Sequence, residues 1–175
     1  MSDERRLPGA MRERARSEFP GIGRVHKGHL EGRGVSIALV ASRFNEALVE
    51  KLVEGAAAEL ARLGASPQQV DLTWVPGAFE LPFAAQRLAR TGRYDAILAL
   101  GVVIRGETPH FDYVCAEAAR GLAQVARNEN LPVLFGLVTA NDAAQAHARC
   151  GGTSNKGTET ARSAIEFLSA MREVR

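Results

Sequence analysis

With 175 residues, 46% of them hydrophobic and 24% charged, the chain has the size and composition of one globular domain. No apolar run approaches the ~20 residues that a bilayer crossing needs. Arg5, Arg6, Arg12, Arg14 and Arg16 break up any signal-peptide core, so the cytoplasm is the expected location and no membrane partner is expected.

The net charge of +2 is unevenly placed. Residues 1–33 hold eight Lys/Arg against five Asp/Glu, and the remainder fourteen against fifteen. A basic arm can bind nucleic acid, but the interspersed acids and the lack of clustered aromatics argue against it. Cys115 and Cys150 are too few for a disulfide framework, and neither sits in a C-x-x-C pair. Buried or incidental thiols are expected, with no metal site.

Residues 1–24 read as a flexible tail, punctuated by Pro8, Gly9, Pro20, Gly21 and Gly23. That leaves residues 25–175 as a single domain, in which Val25–Leu30 could form a short edge strand. Val35–Ala41 is a brief β-branched apolar run, which suits a strand buried on both faces. Asn45 then reads as an N-cap. It is followed by Leu48, Val49, Leu52, Val53, Ala56, Ala57, Leu60 and Leu63, the apolar stripe of an amphipathic helix that Gly64 stops. The same reading gives strands at Val70–Val75, Ala96–Gly101 and Pro132–Val138. It gives helices at Ala78–Arg90, Phe111–Asn128, Asp142–Arg149 and Thr158–Arg172. Strands separated by helix-length segments imply right-handed crossovers and a parallel sheet covered on both sides. The expected fold is a three-layer αβα flavodoxin-like domain with a four-stranded parallel sheet, with the N-terminal edge strand as an extension.

In such a sheet, ligands bind beyond the carboxyl ends of the strands. The segments there are Ser42–Asn45, Pro76–Glu80, Val102–His110 and Thr139–Asn141. In the third, Thr108 suits an N-cap before Pro109 in the first turn, and a helix start favours an anion such as phosphate. His110 lies on that turn, where imidazole could transfer protons, although a lone histidine there also serves simply as a solvated helix end. Phe44 could stack on a planar heterocycle or be an ordinary packing residue. Glu80 near a helix start and Arg149 near a helix end are each explained by the helix dipole alone. The small-residue stretch Gly151–Gly157 could be only a flexible connection. These residues specify an anion-ready site without specifying a substrate.

The assembled motifs resemble the lumazine synthase family. They are SRFN at 42–45, WVPGAFELPFAA at 74–85, YDAILALGVVIRGETPHFDYVCAEAARG at 94–121, LPVLFGLVTANDAAQA at 131–146 and NKG at 155–157. They run in order over roughly residues 30–172, and PGAFE together with VIRG-x-T-x-HFDYV is a specific combination. The resemblance implies condensation of 5-amino-6-(D-ribitylamino)uracil with 3,4-dihydroxy-2-butanone 4-phosphate, without cofactor or metal. It implies Phe44 stacked on the pyrimidine, Ala78, Phe79 and Glu80 on the ribityl chain, and Val102, Val103 and Ile104 at the pyrimidine edge. Glu107 and Thr108 would sit at the phosphate, with His110 as the proton-transfer residue. Phe135, Arg149 and Lys156 would come from an adjacent subunit of a homopentamer, and riboflavin synthase is a further possible partner. The turn RCGGTSNK at 149–156 is shorter than the lysine-containing turn of many shell-forming members, which leaves the larger assembly open. Two rivals stand beside this reading: an archaeal-type riboflavin synthase, and a non-catalytic flavin-binding or shell-forming homologue.

Overall fold

A computed structural model describes residues 19–174. Among them the chain forms β1 (Ile37–Ser42), α1 (Glu46–Arg62), β2 (Val70–Val75), α2 (Leu81–Ala89) and β3 (Ala96–Ile104). There follow α3 (His110–Asn128), β4 (Val133–Ala140), α4 (Ala143–Cys150) and α5 (Lys156–Glu173). All strand pairings are parallel, in the order β2-β1-β3-β4.

The layering follows from side-chain alternation along the strands. Ile37, Leu39, Ala41, Leu98 and Leu100 face Leu52, Ala56, Leu60, Ala146, Ala161 and Ile165 of α1, α4 and α5. Ala38, Val40, Ile97 and Ala99 face Leu81, Ala85, Ala118 and Leu122 of α2 and α3. Both faces of β1 are therefore apolar, which is why its sequence is a continuous hydrophobic run. The expected three-layer fold is present.

One expected strand is not. Val25–Leu30 has no ladder partner among the described residues and runs against α5 instead. The His29 backbone N–H donates to Ser169 Oγ at 3.0 Å. Gly28 approaches so closely that a Cβ there would lie 1.8 Å from the Glu166 carbonyl oxygen. His26 and His29 lie 3.6 and 3.5 Å from the Glu173 carboxylate. With only Val25 and Leu30 as apolar residues, the segment lacks the alternation that would specify a strand. Of the expected tail, residues 1–18 lie outside the described residues.

Other differences concern element ends. The expected helix at Ala78–Arg90 begins as a single 3-10 turn, Ala78–Glu80, before α2. Pro82 then falls in the first turn, where its missing N–H costs nothing. β3 runs on to Ile104, beyond its expected end at Gly101. Pro109 occupies the N-cap position of α3, so Thr108 stands one residue outside the helix. Asn45 precedes α1 in a left-handed conformation and offers it no side-chain cap.

The tightest helix contact is α1 on α5. A Cβ at Gly157 would lie 1.9 Å from the Leu52 carbonyl oxygen, so only glycine permits the approach. Asn155 secures it: Oδ1 accepts from the Thr158 N–H at 3.1 Å, and Nδ2 donates to the carbonyls of Lys51 at 2.8 Å and Cys150 at 3.0 Å. Further along, Glu59 of α1 receives hydrogen bonds from Arg62 at 2.7 and 2.8 Å and from Arg162 of α5 at 3.0 Å.

Ser42 closes β1 with a fully buried hydroxyl that has no hydrogen-bond partner among the described residues. An orphan hydroxyl costs ~1–3 kcal/mol in desolvation. Ser42→Ala is therefore expected to raise stability by about 1 kcal/mol, read as a higher urea midpoint. A lower midpoint would show that the hydroxyl contributes a bond.

Candidate functional site

The carboxyl ends of β1, β2 and β3 form one rim, and their backbones hold the candidate side chains outward. Beyond β1, the Arg43 and Phe44 N–H groups donate to the carbonyls of Val75 at 2.8 Å and Pro76 at 3.1 Å. This prolongs the ladder into the loop and fixes the backbone at Phe44, whose side chain is left 71% exposed. Asn45 then turns the chain at φ 62° and donates from Nδ2 to the Val102 carbonyl at 3.0 Å. The loop after β1 is thereby tied to both neighbouring strands.

After β2, the 3-10 turn buries Ala78 and presents Phe79 and Glu80 to solvent, with Phe79 59% exposed. At the end of β3, Val102 is buried, while Val103 and Ile104 are half-buried. They pair in register with Val138, Thr139 and Ala140 of β4. Glu107, Thr108 and His110 follow, all exposed, at the start of α3. Two exposed phenylalanines, a carboxylate and a histidine beside a helix start suit an aromatic ligand that also carries an anion. An apolar ring in water gains by being covered.

The β3–α3 loop is fastened by residues to which the sequence reading gave no role. Arg105 makes two hydrogen bonds to Asp112, at 2.7 and 3.0 Å, and a longer one to Asn141 Oδ1 at 3.3 Å. Its guanidinium also lies 4.2 Å from the centre of the Phe111 ring. The Arg105 hydrogen bonds hold the Asp112 carboxyl below its usual range, and Asp112 in turn raises Arg105. The sequence clue was an arginine and an aspartate bracketing the loop, but only the fold brings Asn141 beside them.

Three candidates do not join this rim. Phe135 stands opposite Ala99, the third residue of β4 and far from its carboxyl end, on an edge strand where it is 42% exposed. Arg149 lies in the last turn of α4, and Lys156 opens α5 with an ion pair to Glu159 at 3.1 Å. Cys115 is half-buried and Cys150 buried, and burial pushes both thiols up, away from nucleophilic character. Among the described residues no group of His, Cys, Asp and Glu could hold a metal, and no helix is long and apolar enough to cross a membrane.

The family model described as 6,7-dimethyl-8-ribityllumazine synthase matches residues 34–172. The chain belongs to this family. It is a transferase with lumazine synthase activity in riboflavin biosynthesis. The matched region begins just before β1 and ends one residue short of the end of α5, so it covers the whole sheet and its helices. In open parallel sheets ligands bind beyond the carboxyl ends of the strands, which here is the rim of β1, β2 and β3.

Proposed function

We propose that the reaction is the condensation of 5-amino-6-(D-ribitylamino)uracil with 3,4-dihydroxy-2-butanone 4-phosphate, the penultimate step of riboflavin formation. The observation that carries this reading is the gathering of Phe44, Phe79, Glu80, Glu107, Thr108 and His110 on one rim in a member of this family. Phe44 stacks on the pyrimidine, and Val102, Val103 and Ile104 meet its edge. Ala78, Phe79 and Glu80 take the ribityl chain, whose hydroxyls suit the Glu80 carboxylate. Glu107 and Thr108 flank the phosphate at the start of α3, where the helix dipole favours an anion.

The pyrimidine's free amine attacks the ketone, and loss of water gives an imine between the two substrates. Elimination releases phosphate, and attack by the ribityl-bearing nitrogen closes the second ring with loss of water. The amine nucleophile belongs to the substrate, so no enzyme nucleophile or cofactor takes part. His110 moves protons in these steps. Much of the acceleration comes from holding two mutually reactive molecules together.

Phe135, Arg149 and Lys156 complete the site from a neighbouring subunit. The place of Phe135 in the middle of β4, away from the carboxyl ends, supports this arrangement. Such head-to-tail contacts close into a ring, and a cytoplasmic pentamer is the assembly proposed, on its own or within a larger shell. Riboflavin synthase consumes the product.

The test supplies both substrates to the purified protein and follows lumazine formation. Absence of product sinks the reading, and riboflavin formed from lumazine alone would favour a riboflavin synthase instead. Charge-assisted hydrogen bonds contribute ~1.5–3 kcal/mol, so Arg149→Ala is expected to lower kcat/KM for the butanone phosphate about tenfold or more. Mixing Arg149→Ala with Phe44→Asp subunits after dissociation restores part of the activity if the site is shared. Reassembled mixed rings with no recovery would place the site within one chain.

A further inference from the structure

We infer that Arg105 is a positioning residue that sets the β3–α3 loop, and with it Glu107, Thr108 and His110, in its working geometry. The inference rests on the proposed reaction and extends it to a residue that lies just outside the ligand-facing set.

The loop has little packing of its own. Gly106, Glu107, Thr108 and Pro109 are all exposed, and, its chain neighbours aside, no heavy atom of the described residues lies within 4 Å of where a Cβ on Gly106 would stand. Four exposed residues between a strand and a helix would sample many conformations unless both ends were fixed. Arg105 fixes both ends. Its backbone N–H donates to the Ala140 carbonyl at 2.9 Å, which continues the β3–β4 ladder one residue past the strand. Its side chain then reaches across the loop to the first turn of α3. There it grips Asp112 with two hydrogen bonds and lies against the Phe111 ring. The longer contact to Asn141 ties the same guanidinium to the loop after β4.

Arg105 thus closes a staple of which Gly106–Pro109 is the span and His110 the residue next to the grip. The geometry depends on the planar fork, because one guanidinium meets a carboxylate, an amide oxygen and a ring together. An ammonium carries the same charge without that shape. Asp112 is engaged by Arg105, so the role assigned to Arg105 is to hold the loop and not to contact the phosphate.

Three variants in the full-length protein test this: Arg105→Ala, Arg105→Lys and Arg105→Ala with Asp112→Ala. Displacing a binding loop by about an ångström costs up to about a hundredfold, so Arg105→Ala should lower kcat/KM for the butanone phosphate about tenfold to a hundredfold. The pyrimidine dissociation constant should stay within about twofold, because the Phe44 loop is held by other contacts. Arg105→Lys should not rescue. The double variant should be no worse than Arg105→Ala alone, since both changes undo one staple. Hydrogen exchange of the backbone amides at positions 105 and 112, which donate to the Ala140 and Pro109 carbonyls, should quicken in all three, with thermal midpoints near wild type.

Wild-type kcat/KM in Arg105→Ala, rescue by lysine, or unchanged exchange of the amides at positions 105 and 112 would each overturn the inference. A parallel fall in thermal midpoint and in affinity for both substrates would reduce Arg105 to a stabilising residue and overturn it too. If the wild-type protein forms no lumazine, the proposed reaction fails, and the exchange experiment still decides whether Arg105 sets the loop.

Discussion

Removing Arg62 and Arg162 together is expected to destabilise the protein more than removing the glutamate they both bind. Glu59 is 5% exposed, whereas each arginine side chain is more than half exposed. Replacing Glu59 by glutamine leaves two guanidiniums that water solvates readily, so the cost is that of weakened charge-assisted bonds, about 1.5–3 kcal/mol. Replacing both arginines by alanine leaves a buried carboxylate with no counter-charge, which costs about 3–5 kcal/mol. Adding Glu59→Gln to the double variant should therefore recover stability, by removing the unpaired charge. Urea unfolding at matched protein concentration measures all three. Equal losses for Glu59→Gln and the arginine pair, or no recovery in the triple variant, would mean that burial of Glu59 matters less than argued.

The same cluster has an acid signature. Hydrogen bonds from Arg62, ahead of those from Arg162, lower the Glu59 carboxyl from 4.5 to about 2. A depressed acid contributes stability above its unfolded value and loses it as pH falls through the folded one. The contribution is thus complete above about pH 4.5 and is lost between there and about pH 2. It amounts to roughly 3 kcal/mol before screening at the exposed arginine heads. Wild type should lose stability across that window more steeply than Glu59→Gln, and equal slopes would contradict the assignment.

The fold was legible because its signals are local. Apart from Ser36, Val35–Ala41 is apolar throughout, and only a strand with helices on both sides consumes such a run. The stripe from Leu48 to Leu63 repeats at helical spacing, and Gly64, at φ 94°, ends it where a left-handed residue is required. Errors arose where a residue type has two uses. Asn45 suits an N-cap, but it also tolerates a left-handed turn, and here its side chain is spent on the Val102 carbonyl. Val25–Leu30 could form an edge strand only with a partner, and among the described residues it meets the helix α5 instead.

Of the candidate site, the rim residues could be placed because a parallel sheet fixes where strand ends gather. Phe135, Arg149 and Lys156 had no such rule behind them. Phe135 is mid-strand and Arg149 at a helix end, and only the resemblance connected them with the others. The Arg105 network was missed for a third reason. Asn141 is brought to Arg105 by the pairing of β3 with β4, so their separation of 36 positions carries no signal in the sequence.

His110→Ala is expected to lower turnover roughly tenfold to a hundredfold, the low end and below of the ~10²–10⁴-fold that a positioned acid–base group contributes. The side chain is exposed at the first residue of α3, so alanine there disturbs neither the core nor the sheet. No serine, cysteine or lysine lies next to it in sequence to be activated, which fits proton transfer and not nucleophilic catalysis. In the proposed reaction, water loss from the carbinolamine, phosphate elimination and ring closure each move a proton, and the histidine would serve them all from one place. The loss should stay moderate because the proposed substrates react with each other once aligned, and in the proposed site alignment would rest on Phe44, Phe79 and the β3–α3 loop. Pyrimidine binding should therefore be nearly unchanged while kcat falls. The measurement pairs steady-state turnover with a binding titration on the same folded variant. Full activity would remove His110 from the mechanism. Turnover indistinguishable from the uncatalysed background would make proton transfer, and not alignment, the greater part of the enzyme's work.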